Sequence, residues 1–174
     1  MIERFTGDDA DLIIEDRWPH SYNEDQIIAS ARHHREVVAA EISGVAQPYL
    51  NAARTEADTA NAGMFAQAVV TKTADHMHLA DQSALRHSTV AEHLDTFATA
   101  IINAKNRING AVSTFTADWA KAPQLAQANN WYQHEYNSYR TQLVEAGRAS
   151  VTAALSDLTA AHDTCSTVLQ AALD

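Results

Sequence analysis

Very little in this sequence can make a turn. There are five glycines and three prolines among 174 residues. A sheet-rich fold needs many turns and a few long helices need few, so the scarcity points to an all-α chain. Cys165 is the single cysteine, which excludes an intrachain disulfide. Its helical spacing marks it as a small apolar core residue, with an intermolecular disulfide as the other reading. No apolar run approaches the roughly 20 residues of a membrane span, and no basic-then-apolar leader follows Met1. These absences predict no integral membrane segment. They leave a cytoplasmic location or export by a route that reads a folded helical signal. Basic charge is scarce as well: 12 Lys and Arg stand against 22 Asp and Glu, for a net charge of −10. Nucleic acid and anionic membrane are poor partners for such a surface.

Alanine, the best helix former, is plentiful. The apolar fraction is 46%, enough for a core but with little area per residue, which favours close helix–helix contact. The negative charge is concentrated at the start. The first 25 residues hold eight acids against two bases, six of the ten net negative charges. Residues 1–22 read as an acidic N-terminal arm in which Gly7-Asp8-Asp9 makes a turn and Trp18-Pro19 breaks any helix. Ile13, Ile14 and Trp18 form an apolar patch that predicts docking of this arm, on its own bundle or on a partner.

Residues 23–174 read as one helical-bundle domain. Ser21 or Asn23 caps a first helix over about 23–60, with Glu24 and Asp25 in its first turn. Ile27, Ala31, His34, Val38, Ile42, Val45, Tyr49 and Ala52 recur at steps of three and four. Gly44 and Pro48 predict a kink. After a turn at Asn61-Ala62-Gly63, a second helix runs over 63–119. His87, Val90, Leu94, Phe97, Ile101, Ala104, Ile108, Val112, Phe115 and Trp119 give it a near-heptad seam. A break near Asp81–Ser83 is the four-helix alternative. Ala120-Lys121-Ala122-Pro123 ends it, and a third helix covers about 124–173. Its stripe of Tyr132, Tyr136, Tyr139, Leu143 and Ala146 changes phase near Gly147 to Val151, Leu155, Leu158, His162, Cys165, Leu169 and Ala172. The two long helices, about 85 and 75 Å at 1.5 Å per residue, predict an elongated antiparallel bundle built on a helical hairpin. The sequence stops in helical register, and both a natural end and the N-terminal piece of a longer protein fit that pattern.

Motifs that carry chemistry are sparse. Nine histidines invite a metal site. However, His33-His34 and His76-Met77-His78 hold neighbours that point to different helix faces, so neither group chelates alone. No Glu-x-x-His of a di-iron bundle and no His-Glu-x-x-His is present. Asp75/His78 and His78/Asp81 have i,i+3 spacing of a kind that chance also produces. There is no phosphate-binding Gly-rich loop, no Gly-x-Ser-x-Gly and no Cys-x-x-Cys. His162 and Cys165 share a face, but on the seam expected to be buried. The expectation is therefore no catalytic residue, no metal and no cofactor. Trp131, Tyr132, Tyr136 and Tyr139 crowd the start of the third helix. They are core candidates, or a partner-facing patch, because Trp and Tyr concentrate at interface centres.

One stretch carries a family resemblance. Phe97 to Ala122 reads FATAIINAKNRINGAVSTFTADWAKA, an Ala-rich helix ending in a Trp at a turn. It resembles the Trp-x-Gly superfamily, the helical-hairpin substrates of type VII (ESX) secretion in actinobacteria and their relatives. The resemblance places the turn motif at Trp119, Ala120 and Lys121, with Lys121 where the family has Gly. The family's Tyr-x-x-x-Asp/Glu export signal is not found near the C-terminus, and the chain is longer than the small family members. What the resemblance implies is a non-enzymatic protein, secreted or at the cell surface without a signal peptide, or the N-terminal targeting domain of an effector. Its partner would be another helical protein, as a homo- or heterodimer, with secretion machinery or a chaperone as further candidates. Trp131, Tyr132, Tyr136 and Tyr139, with Ile13, Ile14 and Trp18, are the partner-binding candidates. The alternatives are a His-using metal-binding bundle or enzyme, and a cytoplasmic structural or regulatory bundle.

Overall fold

The computed structural model of the chain describes residues 1–60 and 63–173. All regular structure among them is helical: α1 (Asp8–Ile14), α2 (Glu24–Arg32), α3 (Gln47–Ala60), α4 (Met64–Trp119), α5 (Ala122–Ala128) and α6 (Gln133–Leu173). Two π-helical stretches, His33–Ala39 and Ile42–Ala46, lie between α2 and α3. The protein is an all-α helical bundle. The expected turn at Asn61-Ala62-Gly63 has its first two residues outside the described ones. α4 continues unbroken through Asp81–Ser83, so the four-helix alternative does not arise there.

The chain divides into two compact units. The first comprises Met1–Asp25 with Phe97–Thr164, and the second Gln26–Thr96 with residues 165–174. This differs from the expected boundary at 22/23: the acidic arm belongs to the first unit. Its apolar residues are part of a core of Ala10, Ile13, Ile14, Trp18, Ile108, Ala111, Val112, Phe115, Val151 and Ala154. α1 has seven residues, too few to hold a helix by itself. It forms because Ala10, Ile13 and Ile14, at helical spacing, turn onto α4 and α6. Asp8, Asp9 and Asp11 sit in its first turn, where negative charge suits the helix dipole. At its other end two guanidinium groups satisfy the orphan carbonyls. Arg17 donates to the Ile13 and Ile14 carbonyls at 3.0 and 3.3 Å, and Arg148 of α6 donates to the Leu12 carbonyl at 3.1 Å. Gly147 is buried on α6 facing Ile13. The α6 contact stripe therefore runs through Gly147, Val151, Ala154 and Leu158. The glycine is a socket in the stripe rather than a point where it only changes phase.

Two polar residues on the buried side of α4 hold the extended N-terminal strand of chain. The Asn109 amide donates to the Glu3 carbonyl at 2.8 Å and accepts from the Phe5 N–H at 3.0 Å. One turn earlier, the Lys105 ammonium donates to Glu24 at 2.6 Å and to the Tyr22 carbonyl at 2.9 Å. Both side chains of this ion pair are 3% exposed. Lys105 also lies 5.9 Å from the centre of the Trp18 ring. Glu24 accepts the Ile2 N–H as well. Burial pushes the Glu24 carboxyl up, but the hydrogen bond from Lys105 and the backbone donors outweigh it, and the net shift is below the ordinary value.

Local signals in both units set the remaining helix boundaries. Asn23 caps α2 by accepting the Asp25 N–H at 3.1 Å. From Glu24 to Ala60 the backbone stays helical, including across Gly44 and Pro48. Pro48 has no N–H to donate, and just upstream of it the turn is wide, with Gln47 N–H reaching the Ile42 carbonyl five residues back. Where one helix over about 124–173 was expected, α5 and α6 are separate, because Asn129 and Asn130 stop α5. Asn130 takes φ 51, and Trp131 N–H bonds to the Ala126 carbonyl at 2.9 Å, a Schellman ending with Asn in the left-handed position. Glu135 then reaches back to accept the Tyr132 N–H at 2.7 Å and starts α6.

Candidate functional site

The residues singled out from sequence meet different fates. Ile13 and Ile14 are fully buried and Trp18 is 7% exposed. The patch docks on its own bundle, one of the two outcomes expected of it, and the chain's own core covers all three side chains. Trp119 ends α4, and Ala120 and Lys121 form the turn before α5. The Trp119 ring packs against Tyr136 at 4.8 Å and carries the Arg140 guanidinium at 5.7 Å. Trp131 packs on Tyr139 at 5.2 Å. Trp131, Tyr136 and Tyr139 are thus half-buried in ring pairs within the chain. Tyr132, 73% exposed and stacked on His134, is the member that faces outward. Cys165 is buried, and burial pushes its thiol up; a protonated thiol is a poor nucleophile. His162 packs between the Tyr22 and Phe97 rings at 5.9 and 5.7 Å.

Among the histidines, the structure brings together a pair that spacing did not. His34 Nδ1 and His87 Nδ1 lie 2.9 Å apart, with ring centres at 5.1 Å and planes 23° apart. No group of three or more His, Cys, Asp or Glu side chains converges among the described residues.

A wide-open groove of about 1260 Å³ lies in the first unit, between the Glu3–Ala10 segment and the α4 residues Val112, Ser113, Thr116 and Ala117. Glu3, Asp8 and Asp9 line it, and Asp9 already accepts from the Thr116 hydroxyl at 2.7 Å. We place the candidate site elsewhere, on the apolar surface of the second unit. Tyr49 is 75%, Met64 93%, Phe65 84% and Leu85 69% exposed; Val37, Val45 and Leu79 also face outward. Beside Val45, Glu41, Ile42 and Ala46 line an open groove of about 410 Å³. The reason for this exposure is the weakness of the core beneath. Among the described residues, the buried side chains of the second unit are Ala31, Ala39, Thr73, Val90, Ala91 and Cys165. Val90 is its largest buried apolar residue, whereas the first unit buries Phe97, Ile101, Ile108, Phe115 and Leu158.

Sequence reasoning placed Val45 and Tyr49 on a core-facing stripe. In the folded chain they point outward, because the π-helical turns rotate that stripe away from its α-helical phase. It passed over Phe65, Leu79 and Leu85 because they fall off the seam. Large apolar residues off the seam of an otherwise polar helix were the available signal. Glu24, Lys105 and Asn109 were also missed as a group. Lys105 and Asn109 fall on the apolar stripe of α4, which is the signal that they are buried and partnered.

What fold and site define together is a helical bundle with one well-packed unit and one that displays its hydrophobic residues. Comparison with protein-family models, with curated proteins and with solved structures returned no match. No helix of the described chain is long and apolar enough to cross a membrane.

Proposed function

We propose that the protein is a non-enzymatic helix-pairing domain that docks another helical protein on the apolar surface of its second unit. The observation that carries this reading is the imbalance between what that unit buries and what it exposes. Among the described residues, eight of the twelve large hydrophobics that stand exposed belong to it. Fully burying such a side chain contributes about 1.5–3 kcal/mol, so a partner that covers Tyr49, Phe65 and Leu85 stabilises the unit as it binds. The Trp-x-Gly resemblance of Phe97–Ala122 supports extending the proposal to a secretion-associated or targeting role, with export independent of a signal peptide. Tyr132 is retained as a secondary contact.

The test begins with light scattering after size exclusion over a range of concentrations, on the wild type and on Tyr49→Ser/Leu85→Ser. Self-association that rises with concentration, and that the double substitution removes at unchanged helicity, is the expected result. Hydrogen exchange on the same samples should show residues 26–96 opening far more readily than 97–164 in the monomer and gaining protection in the assembly. A wild-type monomer whose second unit is already as protected as the first rejects the reading, because no surface then needs a partner. Export is tested separately, by locating the protein in culture filtrate or cytosol.

A further inference from the structure

Only one proton fits between two nitrogens 2.9 Å apart. His34 Nδ1 and His87 Nδ1 stand at that distance, with ring centres 5.1 Å apart, so one ring donates its Nδ1–H and the other accepts on its lone pair. We propose that this hydrogen bond is an acid-sensitive latch, which holds residues 26–60 on α4 while one Nδ1 is unprotonated and releases them when both rings are charged.

A first added proton goes to the outer nitrogen of the donor ring. It leaves the bond intact and makes it charge-assisted. A second must enter the acceptor's Nδ1, and two N–H groups and two positive charges then face each other. The contact cannot survive that at 2.9 Å. Among the described residues, the charges acting on His34 are His87 from α4 and His33 from its own helix, and no carboxylate joins them. Asp95, Glu36 and Glu92 act instead on Arg35, which is paired with Asp95 at 2.5 Å. Burial first, then His87 and His33, hold His34 below its ordinary value of 6.5. A released ring returns to that value, so release takes up a proton. The closed form is therefore fully stable above 6.5 and loses ground as pH falls through the lower, folded value. The segment that the latch holds has few other anchors. Among the described residues, Ala31 and Ala39 are the buried side chains of 26–60, so little apolar area is lost when it lifts. Its contacts from Arg35 to Asp95 and from Gln47 to Asp81 lie on the exposed surface. His34 itself stands in the first π-helical stretch, a widening of the kind that recurs at functional sites.

The latch acts inside the second unit, so it stands or falls apart from helix pairing, which is read from concentration dependence at neutral pH. Hydrogen exchange of the full-length chain is followed at about pH 7.5 and about pH 5.5 and corrected for the chemical exchange rate. Light scattering at each pH keeps a change of assembly from being read as release. One unit below 6.5, uptake of one proton on release shifts the opening equilibrium by up to about tenfold. Protection of residues 26–60 should fall by about that factor, with 97–164 unchanged. In His34→Gln/His87→Gln the two amides can bond to each other and never charge, so the pH dependence should vanish at unchanged helicity. Imidazole nitrogen NMR on the wild type reads the same event without a variant, and decides the matter where the variant fails to fold: the second protonation of the pair should coincide with the loss of protection. Equal protection at both pH values, a loss that persists in the double variant, or a loss where the pair has not taken its second proton overturns the proposal.

Discussion

Lys105→Met should destabilise the first unit by about 3–5 kcal/mol, because it strips the Glu24 carboxylate of its buried counter-charge. Both partners are 3% exposed. Lys105 is the close, buried cation at Glu24, which also accepts the Ile2 N–H and has the Met1 ammonium 3.9 Å away, and the second hydrogen bond of Lys105 goes to the Tyr22 carbonyl. The loss therefore leaves a buried carboxylate with only the more distant Met1 ammonium, and a carbonyl without its donor, at once. All three tryptophans, Trp18, Trp119 and Trp131, belong to this unit, so denaturant unfolding followed by tryptophan fluorescence reads it directly. Glu24→Gln/Lys105→Met should recover much of the loss, since removing both charges leaves no ion to desolvate. An unchanged midpoint in Lys105→Met would show that the pair does not hold the N-terminal segment.

The same pair sets an acid limit. The folded Glu24 carboxyl titrates below its ordinary value of 4.5, so as pH falls the unfolded chain takes up this proton first. Its stabilisation is complete above that ordinary value and is lost as pH falls through the lower, folded one. The slope of stability against pH below 4.5 should be shallower in Glu24→Gln than in the wild type.

The second large effect is expected at Gly147. A Cβ there would stand 2.8 Å from Ile13 Cδ1 and 3.1 Å from Cγ2, and Ile13 is fully buried. Replacing a mid-helix glycine by alanine normally gains about 1 kcal/mol of helix propensity. Here overpacking, typically about 1–3 kcal/mol, opposes that gain. Gly147→Leu has no such compromise: it must expel Ile13, and the cost approaches the ~2–5 kcal/mol of Ile13→Ala. The diagnostic is coupling. Gly147→Ala in an Ile13→Val background should be less harmful, or stabilising, because the shorter side chain gives up Cδ1. Additive effects in that double-mutant cycle would mean that α1 does not seat on α6 through this socket.

The helices themselves are legible in the sequence, since composition, the three-four apolar recurrence and the Asn23, Trp119 and Pro123 boundaries are local properties that the chain expresses wherever it folds. The seam from Phe97 to Phe115 is legible for the same reason. Its strict spacing lets one face satisfy burial along the whole stretch. Where local and non-local forces compete, spacing is not enough. α1 is too short to be fixed by propensity and exists through its packing on α4 and α6, so the acidic arm becomes core, and Ile13, Ile14 and Trp18 are unavailable to a partner. Pro48 is readable as a disturbance. That the helix widens upstream, with Val45 and Tyr49 outward, is not written in the three-four spacing, which assumes an unbroken α-helical phase. The pairings Glu24–Lys105 and His34–His87 lie 81 and 53 residues apart. Linear spacing carries no information about such distances; only the packing of one helix on another brings those side chains together.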